Sequence, residues 1–289
     1  MKGSAALSRW AGALFLFVFV LMTWWSVVRS GIWDETLGIN LLVLGDTTVG
    51  LLVLRPAQGS SSWISLPADL KVKISGSQAS YPMLSLWKFG MGEKRPYEIS
   101  RKSVGEAMGV VIPRMIKVSG EASFEDVLGE LLSWRVKTDL NMLDRLALRK
   151  YLSEAVSARR LLELSIPTQV FAKIEEPDGM IFQEFTQVMS AWSKDKFLFE
   201  GVFAEDAQIL VNNVSGIAGA GLLLSRQVET AGMRVTEIRN DLGDTVAGEG
   251  CVFGLSGEFP MTEKLLSKHF GCKKIGWVGE EGAVKIWVL

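Results

Sequence analysis

The stretch from Trp10 to Val28, WAGALFLFVFVLMTWWSVV, holds nineteen residues without a charge. At about 1.5 Å of rise per residue, a helix of that length spans close to 30 Å, the thickness of a bilayer's hydrocarbon core. Trp24 and Trp25 stand near one end, where indole rings favour the interface. Lys2 and Arg9 precede the run, and Arg29, Asp34 and Glu35 follow it. The positive-inside rule predicts residues 1–9 as a cytoplasmic tail, 10–29 as a single-pass anchor, and everything beyond as extracytoplasmic. The competing reading is a cleaved signal peptide. It calls for a shorter apolar region and small residues at the cleavage site, whereas WWSVVRSGIW offers bulky ones.

Beyond the apolar run the chain is ordinary globular material. Of 289 residues, 48% are hydrophobic and 22% charged, enough for a packed core and too apolar for extended disorder. A net charge of -1 excludes a generic nucleic-acid binder. The single histidine, His269, has no Ser or Cys partner motif, which excludes a triad hydrolase. Cys251 and Cys272 are not spaced as metal ligands; one disulfide or two buried thiols fit equally. Charge is uneven: residues 60–120 carry 9 basic and 4 acidic side chains, and residues 121–205 carry 10 basic and 15 acidic. Such blocks ordinarily balance one another in a fold; an anion-binding patch in the basic stretch is the functional alternative.

Hydrophobic patterning divides the remainder. INLLVLG, VGLLVLRP and WISLPADLKVKISG read as strands, and SRKSVGEAM as a short helix. VVIPRMIKVSG reads as an edge strand because Pro113 cannot donate to a ladder. Residues 121–205 read as helical: one helix from Ser123, a longer one from Leu140 to about Leu164, and a third from Ile181 to Trp192. From 206 onward the order is strand, glycine turn, helix, strand, strand, helix and final strands, including KKIGWVG and AVKIWVL; helices close at Gly232 and Gly271.

Two constellations carry candidate chemistry. In SGIAGAG, Gly216 and Gly219 with neighbouring Asn213 are the candidate ligand-binding residues, since glycines let backbone amides approach a phosphate. The spacing is not that of a dinucleotide fingerprint and no Walker lysine follows, so tight turning with close helix–strand packing is the structural alternative. Asn213-Val214-Ser215 also fits a glycosylation acceptor, although a strand end is a poor place for one. Asp46, Asp69 and Glu93, with Lys71, Lys73, Arg95, Arg101 and Arg114, are the candidates for metal-assisted phosphate chemistry. Carboxylates would hold Mg²⁺ and arginines would neutralise phosphate oxygens. If the chain is catalytic, Asp46, Asp69, Arg95 and Arg101 are the residues expected to act.

The stretch AQILVNNVSGIAGAGLLLSRQVETAGMRVTEIRN resembles the C-terminal domain of LytR-type proteins, with Ile209, Val211, Asn213, Gly216, Gly219, Gly232 and Val235 at matching places. The front part, INLLVLGD followed by SLPADLKV, is similar to a reduced LytR-CpsA-Psr (LCP) domain, matching at Ser65, Leu66, Pro67 and Asp69. Ala68 stands where that family has an arginine, and Asp46 is the counterpart of its metal-site aspartate. The resemblance implies an α/β chain: an N-terminal transmembrane helix, a strand-rich and helical LCP-like domain over 39–205, and a small α/β LytR-type domain over 206–289. It also implies a bacterial cell-envelope setting. Intact relatives are phosphotransferases that move glycopolymer from a polyprenyl pyrophosphate carrier to peptidoglycan with Mg²⁺. Losing the arginine removes stabilisation of developing phosphate charge. The expectation is therefore a non-catalytic membrane protein without a cofactor. It would bind or scaffold cell-wall glycopolymer, polyprenyl-phosphate lipid or envelope proteins, and no nucleic acid. The rivals are an active Mg²⁺-dependent phosphotransferase and a bitopic structural subunit of an envelope complex.

Overall fold

The runs INLLVL and VGLLVLR have almost nothing polar to turn toward water, so strands built from them must be covered on both faces. The computed structural model, which describes residues 31–241, 246 and 250–289 together with Val18 and Met22, meets that demand with a layered arrangement. Ile39–Leu44 (β1) and Val49–Arg55 (β2) pair antiparallel and are buried throughout. Ser60–Leu66 (β3) continues the meander. Lys71–Lys73 (β4) and Ser80–Pro82 (β5) form a small ribbon leading into the helices Met83–Gly92 (α1) and Pro96–Met108 (α2). Then follow Arg114–Lys117 (β6), Phe124–Glu130 (α3), Lys137–Thr138 (β7), Met142–Ser157 (α4) and Leu161–Leu164 (β8). The six-stranded sheet runs β7-β6-β1-β2-β3-β8, with β6 parallel to β1 and β8 parallel to β3.

Alternation sorts the side chains of this sheet. Leu42, Leu44, Leu51 and Val53 face α1 and α2 through Leu86, Val104 and Met108. Ile39, Leu41, Val43 and Leu52 face α3 and α4 through Val127, Leu148 and Leu152. A hairpin of Phe171–Glu175 (β9) and Ile181–Phe185 (β10), then Val188–Lys196 (α5), extends the first of these faces, with Phe171 stacked on Phe185 at 5.8 Å.

After Glu200–Ala204 (α6) a second sheet forms from Gln208–Asn213 (β11), Arg234–Arg239 (β12), Cys251–Ser256 (β13), Lys273–Lys274 (β14) and Ala283–Val288 (β15), in the order β12-β11-β15-β13-β14. Ala220–Thr230 (α7) connects β11 to β12, and Pro260–Leu265 (α8) runs on into a π-helical turn, Leu266–Phe270. A disulfide joins Cys251 to Cys272. Closing a loop of that separation is worth about 3 kcal/mol in the chain-entropy account.

Several expected elements differ. Pro113 precedes β6 instead of lying in it, so no ladder bond is lost and β6 is an inner strand between β1 and β7. The helix expected to reach Leu164 stops at Ser157: Arg159 takes a left-handed φ of 53°, and Leu161 and Leu162 enter the sheet as β8. The helix expected at Ile181 begins only at Val188, because the turn at EEPDG closes a hairpin and Phe182 to Phe185 pair with β9. KKIGWVG contributes only the two residues of β14. SRKSVGEAM belongs to a longer helix that starts with Pro96 in its first turn. The apolar run 10–29 lies outside the described residues except Val18 and Met22, both helical and exposed. No helix among the described residues is long and apolar enough to cross a membrane.

The two sheets are joined around Arg55, at the end of β2. Its guanidinium donates to the carbonyls of Leu54, Phe197 and Leu198 and to Asn40 Oδ1, each at 2.9 to 3.0 Å, and lies 3.9 Å above the Phe199 ring. Asn40 in turn donates to the Val111 carbonyl, and Leu37, Val111 and Phe199 are part of the second core. His269 packs edge-on to Phe199 at 5.5 Å with neither ring nitrogen hydrogen-bonded. Lys264 of α8 pairs with Asp34.

Arg55→Ala is expected to cost about 3 kcal/mol or more, since it strands several buried carbonyls and an amide. Urea unfolding followed at probes on each sheet should separate into two transitions. Burial, with the Arg55 cation adding to it, pushes His269 down to about 3. Unfolding lets that ring take a proton below about pH 6.5, so stability is greatest above 6.5 and falls as pH drops toward 3, by at most about 1.4 kcal/mol per unit. His269→Phe should flatten this slope in a pH series of denaturation midpoints.

Candidate functional site

The register of the first sheet sets where its loops meet. Leu44 pairs with Val49 and Val49 with Leu66, so β1 and β3 finish at the same edge, two strands apart and about 10 Å from one another. Asp46 follows β1 and Asp69 follows β3, so this carboxy-terminal edge carries both candidate acids. Lys117 ends β6 there, paired with Leu44 in the parallel ladder.

The turn at Asp46 is tied down by the segment after β6. Gly45 lies so close to it that a Cβ would stand 2.4 Å from the Ala122 nitrogen. The Ala122 amide donates to Thr48 Oγ1, and the Gly120 amide to Asp46 at 3.0 Å. Lys117 Nζ meets the same carboxylate at 2.6 Å. The Lys117 hydrogen bond, then that of Gly120, hold the Asp46 carboxyl below its ordinary value. Lys137 of β7 sits directly opposite Lys117, and it too favours the ionised Asp46. Two lysines face each other across one rung, a like-charge pairing that an anion between or above them would relieve. Asp46 supplies one negative charge against two positive.

Asp69 is exposed and accepts from Gln183 Nε2 at 3.3 Å, where β10 bridges to Leu70. Lys71 is taken up by Glu176 and by the Phe182 ring, 4.5 Å away. Glu93 ends α1 and is exposed. Lys73 ends β4, also exposed. Arg95 is exposed and has Glu98 at 3.9 Å.

Arg101 and Arg114 gather elsewhere. Arg114 pairs with Leu41, so it begins β6 about 10 Å along the strand from Lys117. Arg101 lies 3.6 Å from Asp139 and donates to the Ile112 carbonyl, and Asp139 accepts from the Met115 amide. Burial raises the Asp139 carboxyl and lowers Arg101; burial, with the Asp139 charge, raises the Tyr97 phenol. The structure therefore brings Asp46 and Asp69 to one edge and keeps Arg101 and Arg114 from them.

The donor set does not fit Mg²⁺. Asp46 is neutralised by an ammonium, Asp69 is bonded to an amide, and the described residues hold no group of three or more carboxylate, histidine or cysteine ligands. Ala68 offers no cation between them.

The glycine turn of the second sheet uses its residues on itself. Asn213 donates to the Ile217 carbonyl at 2.9 Å and to Asn240 at 3.0 Å, and accepts from Ser215. Gly216 and Gly219 take φ of 72° and 83°, where other residues are strained. Gly221 is the close approach: a Cβ there would be 3.2 Å from Asn213 Cβ and 3.4 Å from Ile238. With its amide engaged at both ends, Asn213 is a poor glycosylation acceptor.

Lys117, Lys137, Asp139 and Gln183 were not among the sequence candidates. Each acts on a partner far along the chain, and only the pairing of β1, β6 and β7 discloses the lysines. Lys117→Met is expected to raise the Asp46 carboxyl toward its ordinary value, measurable by carboxyl-carbon NMR titration.

No protein-family model and no curated protein matched the sequence. Among solved structures, Bacillus subtilis TagT is similar over 56% of this chain and 91% of its own, at 11% identity and a TM-score of 0.42. Bacillus subtilis TagV gives 54%, 94%, 12% and 0.42 in the same terms. A Bacillus subtilis protein described as the transcriptional regulator yvhJ gives 54%, 93%, 13% and 0.40. At these scores the likeness assigns neither a fold nor an activity.

Proposed function

We propose that the chain is a membrane-anchored bacterial envelope protein that binds phosphate-bearing cell-wall glycopolymer or its polyprenyl carrier without transferring it. The observation that carries this reading is the opposed pair Lys117 and Lys137 beside Asp46, at the edge where the resemblance to LCP domains puts the reacting phosphate. A carboxylate that in a transferase would hold a metal here balances one lysine, leaving the second ammonium of the opposed pair to an incoming anion. Such an edge attracts a phosphate diester or pyrophosphate and has little with which to stabilise its cleavage. Ala68 in SLPAD and the remoteness of Arg101 and Arg114 support binding over transfer. The uncharged run 10–28 supports the anchor, and the disulfide supports an oxidising compartment for the bulk of the chain. The C-terminal sheet, with its resemblance to LytR-type domains, is then the part suited to scaffolding.

The test titrates the full chain in nanodiscs with a short-chain polyprenyl pyrophosphate, with and without Mg²⁺, following binding and phosphate release. Binding without release, little changed by Mg²⁺ and weakened about tenfold in Lys117→Ala Lys137→Ala, is expected. Release that disappears in Asp69→Ala would make the chain a transferase. Absence of binding would remove the carrier and its pyrophosphate from the reading.

A further inference from the structure

The first turn of α4 holds two distant segments at once. Asp144, buried in that turn, accepts from the amides of Ile32 at 3.0 Å and Trp33 at 2.9 Å. Its neighbour Arg145 donates to the carbonyls of Leu131 and Ser133, both at 2.6 Å. Ile32 is 1% exposed and packs in one cluster with Leu131, Leu140 and Leu148. The chain is thus fixed at Ile32, four residue steps after Val28, the last of the uncharged run. Four steps reach at most about 14 Å. If the run spans a membrane, the start of α4 is held within or against the headgroup layer.

The surface at that point suits such a place. Trp134, one residue beyond the carbonyl that Arg145 holds, is 84% exposed, with the Arg135 guanidinium 4.8 Å over its ring. Met142 and Leu146 follow on α4 at 49% and 45% exposure, one helical turn apart, and Arg149 and Lys150 are exposed one turn further. An exposed indole and two apolar side chains beside three cations match the interfacial layer of a membrane bearing anionic lipid: the ring and apolar side chains enter the headgroup boundary and the cations stay near phosphate.

We propose that Trp134, Met142 and Leu146, with Arg135, Arg149 and Lys150, form a docking face for an anionic lipid surface, which fixes the orientation of the extracytoplasmic sheets on the membrane. The proposal rests on the anchor in the reading above. The cysteines Cys251 and Cys272 are joined, so a single introduced thiol can be labelled. Met142→Cys and Val156→Cys, fourteen residues apart on α4 and about 21 Å along its axis, are each labelled with a fluorophore in the full chain. The proteins are reconstituted in nanodiscs containing phosphatidylglycerol, with and without headgroup-proximal spin-labelled lipid.

Strong quenching at position 142 and weak quenching at 156 is expected, with the difference reduced in Trp134→Ala Arg135→Ala and in discs without phosphatidylglycerol. Equal quenching at both positions, or none at 142 in protein that resists alkaline extraction, would overturn the docking face while leaving the anchor standing. Protein that fails to enter the discs at all would overturn the anchor and the face together.

Discussion

Arg55 keeps a full positive charge away from water with no carboxylate paired to it among the described residues. Burial pushes it down to about 9, which still leaves it charged at neutral pH. The cation is held by carbonyl dipoles of two segments, by Asn40 and by the face of Phe199, so its donors are satisfied by groups that must be in the right places together. Those groups come from β1, from the end of β2 and from the link between α5 and α6. The second sheet then attaches through Phe199, whose amide donates to the Ala231 carbonyl, and through Gln227, which donates to the Val110 carbonyl. A neutral core residue at position 55 would tolerate many arrangements of these parts. A desolvated guanidinium tolerates few, because each unmet donor is expensive.

This junction determines which edge of the first sheet is free. Arg55 ends β2 at the level where β1 begins, and α2 leads from there through Val111 to β6. The end of the sheet near Ile39 and Val111 is therefore occupied by the second unit, and Arg114 adds its field to that felt by His269. The opposite end carries Asp46, Lys117 and Asp69, with loops and the β9–β10 hairpin beside it. The disposition also separates the roles of the cations. Those near the junction are buried, as Arg55 is, or half-buried, as Arg101 and Arg114 are, and are partly spent on carbonyls and Asp139, whereas Lys117 and Lys137 remain at the open end.

Local sequence was informative where a single element had to satisfy itself. β1 and β2 are legible because both of their faces are buried, which leaves continuous apolar runs. The helix ends at Gly232 and Gly271 are legible because a left-handed residue there is nearly always glycine. The end of α4 is not legible, because Arg159 takes the left-handed conformation with no glycine to announce it. β10 is obscured because Phe182, Phe185 and Met189 imitate a helical stripe while the first two stand on a strand, and only the stacking of Phe171 on Phe185 resolves it. The junction of Asn40 and Arg55 is not legible, because their partners lie as far away as Leu198. The site is less legible still: Asp46 and Asp69 could be named from residue type, whereas Lys117 is 71 positions from its carboxylate.

The contrast between the basic and acidic stretches has a physical resolution in the same terms. Lys71 meets Glu176 and Arg101 meets Asp139, so cations from residues 60–120 are absorbed by acids from 121–205 across the fold. Lys117 departs from that pattern, for its partner Asp46 lies outside both stretches, and the residue opposite it is another lysine. An opposed lysine pair at a strand end is destabilising unless solvent screening or an anion offsets it, and at an exposed edge screening alone lowers the cost to a tolerable level. Asp69, the other carboxylate of this edge, is engaged by Gln183, so in the proposed reading the lysine pair calls for an anion from outside the chain. A phosphate group placed over Lys117 and Lys137 would supply it, and would do so without any residue of the chain having to move a proton.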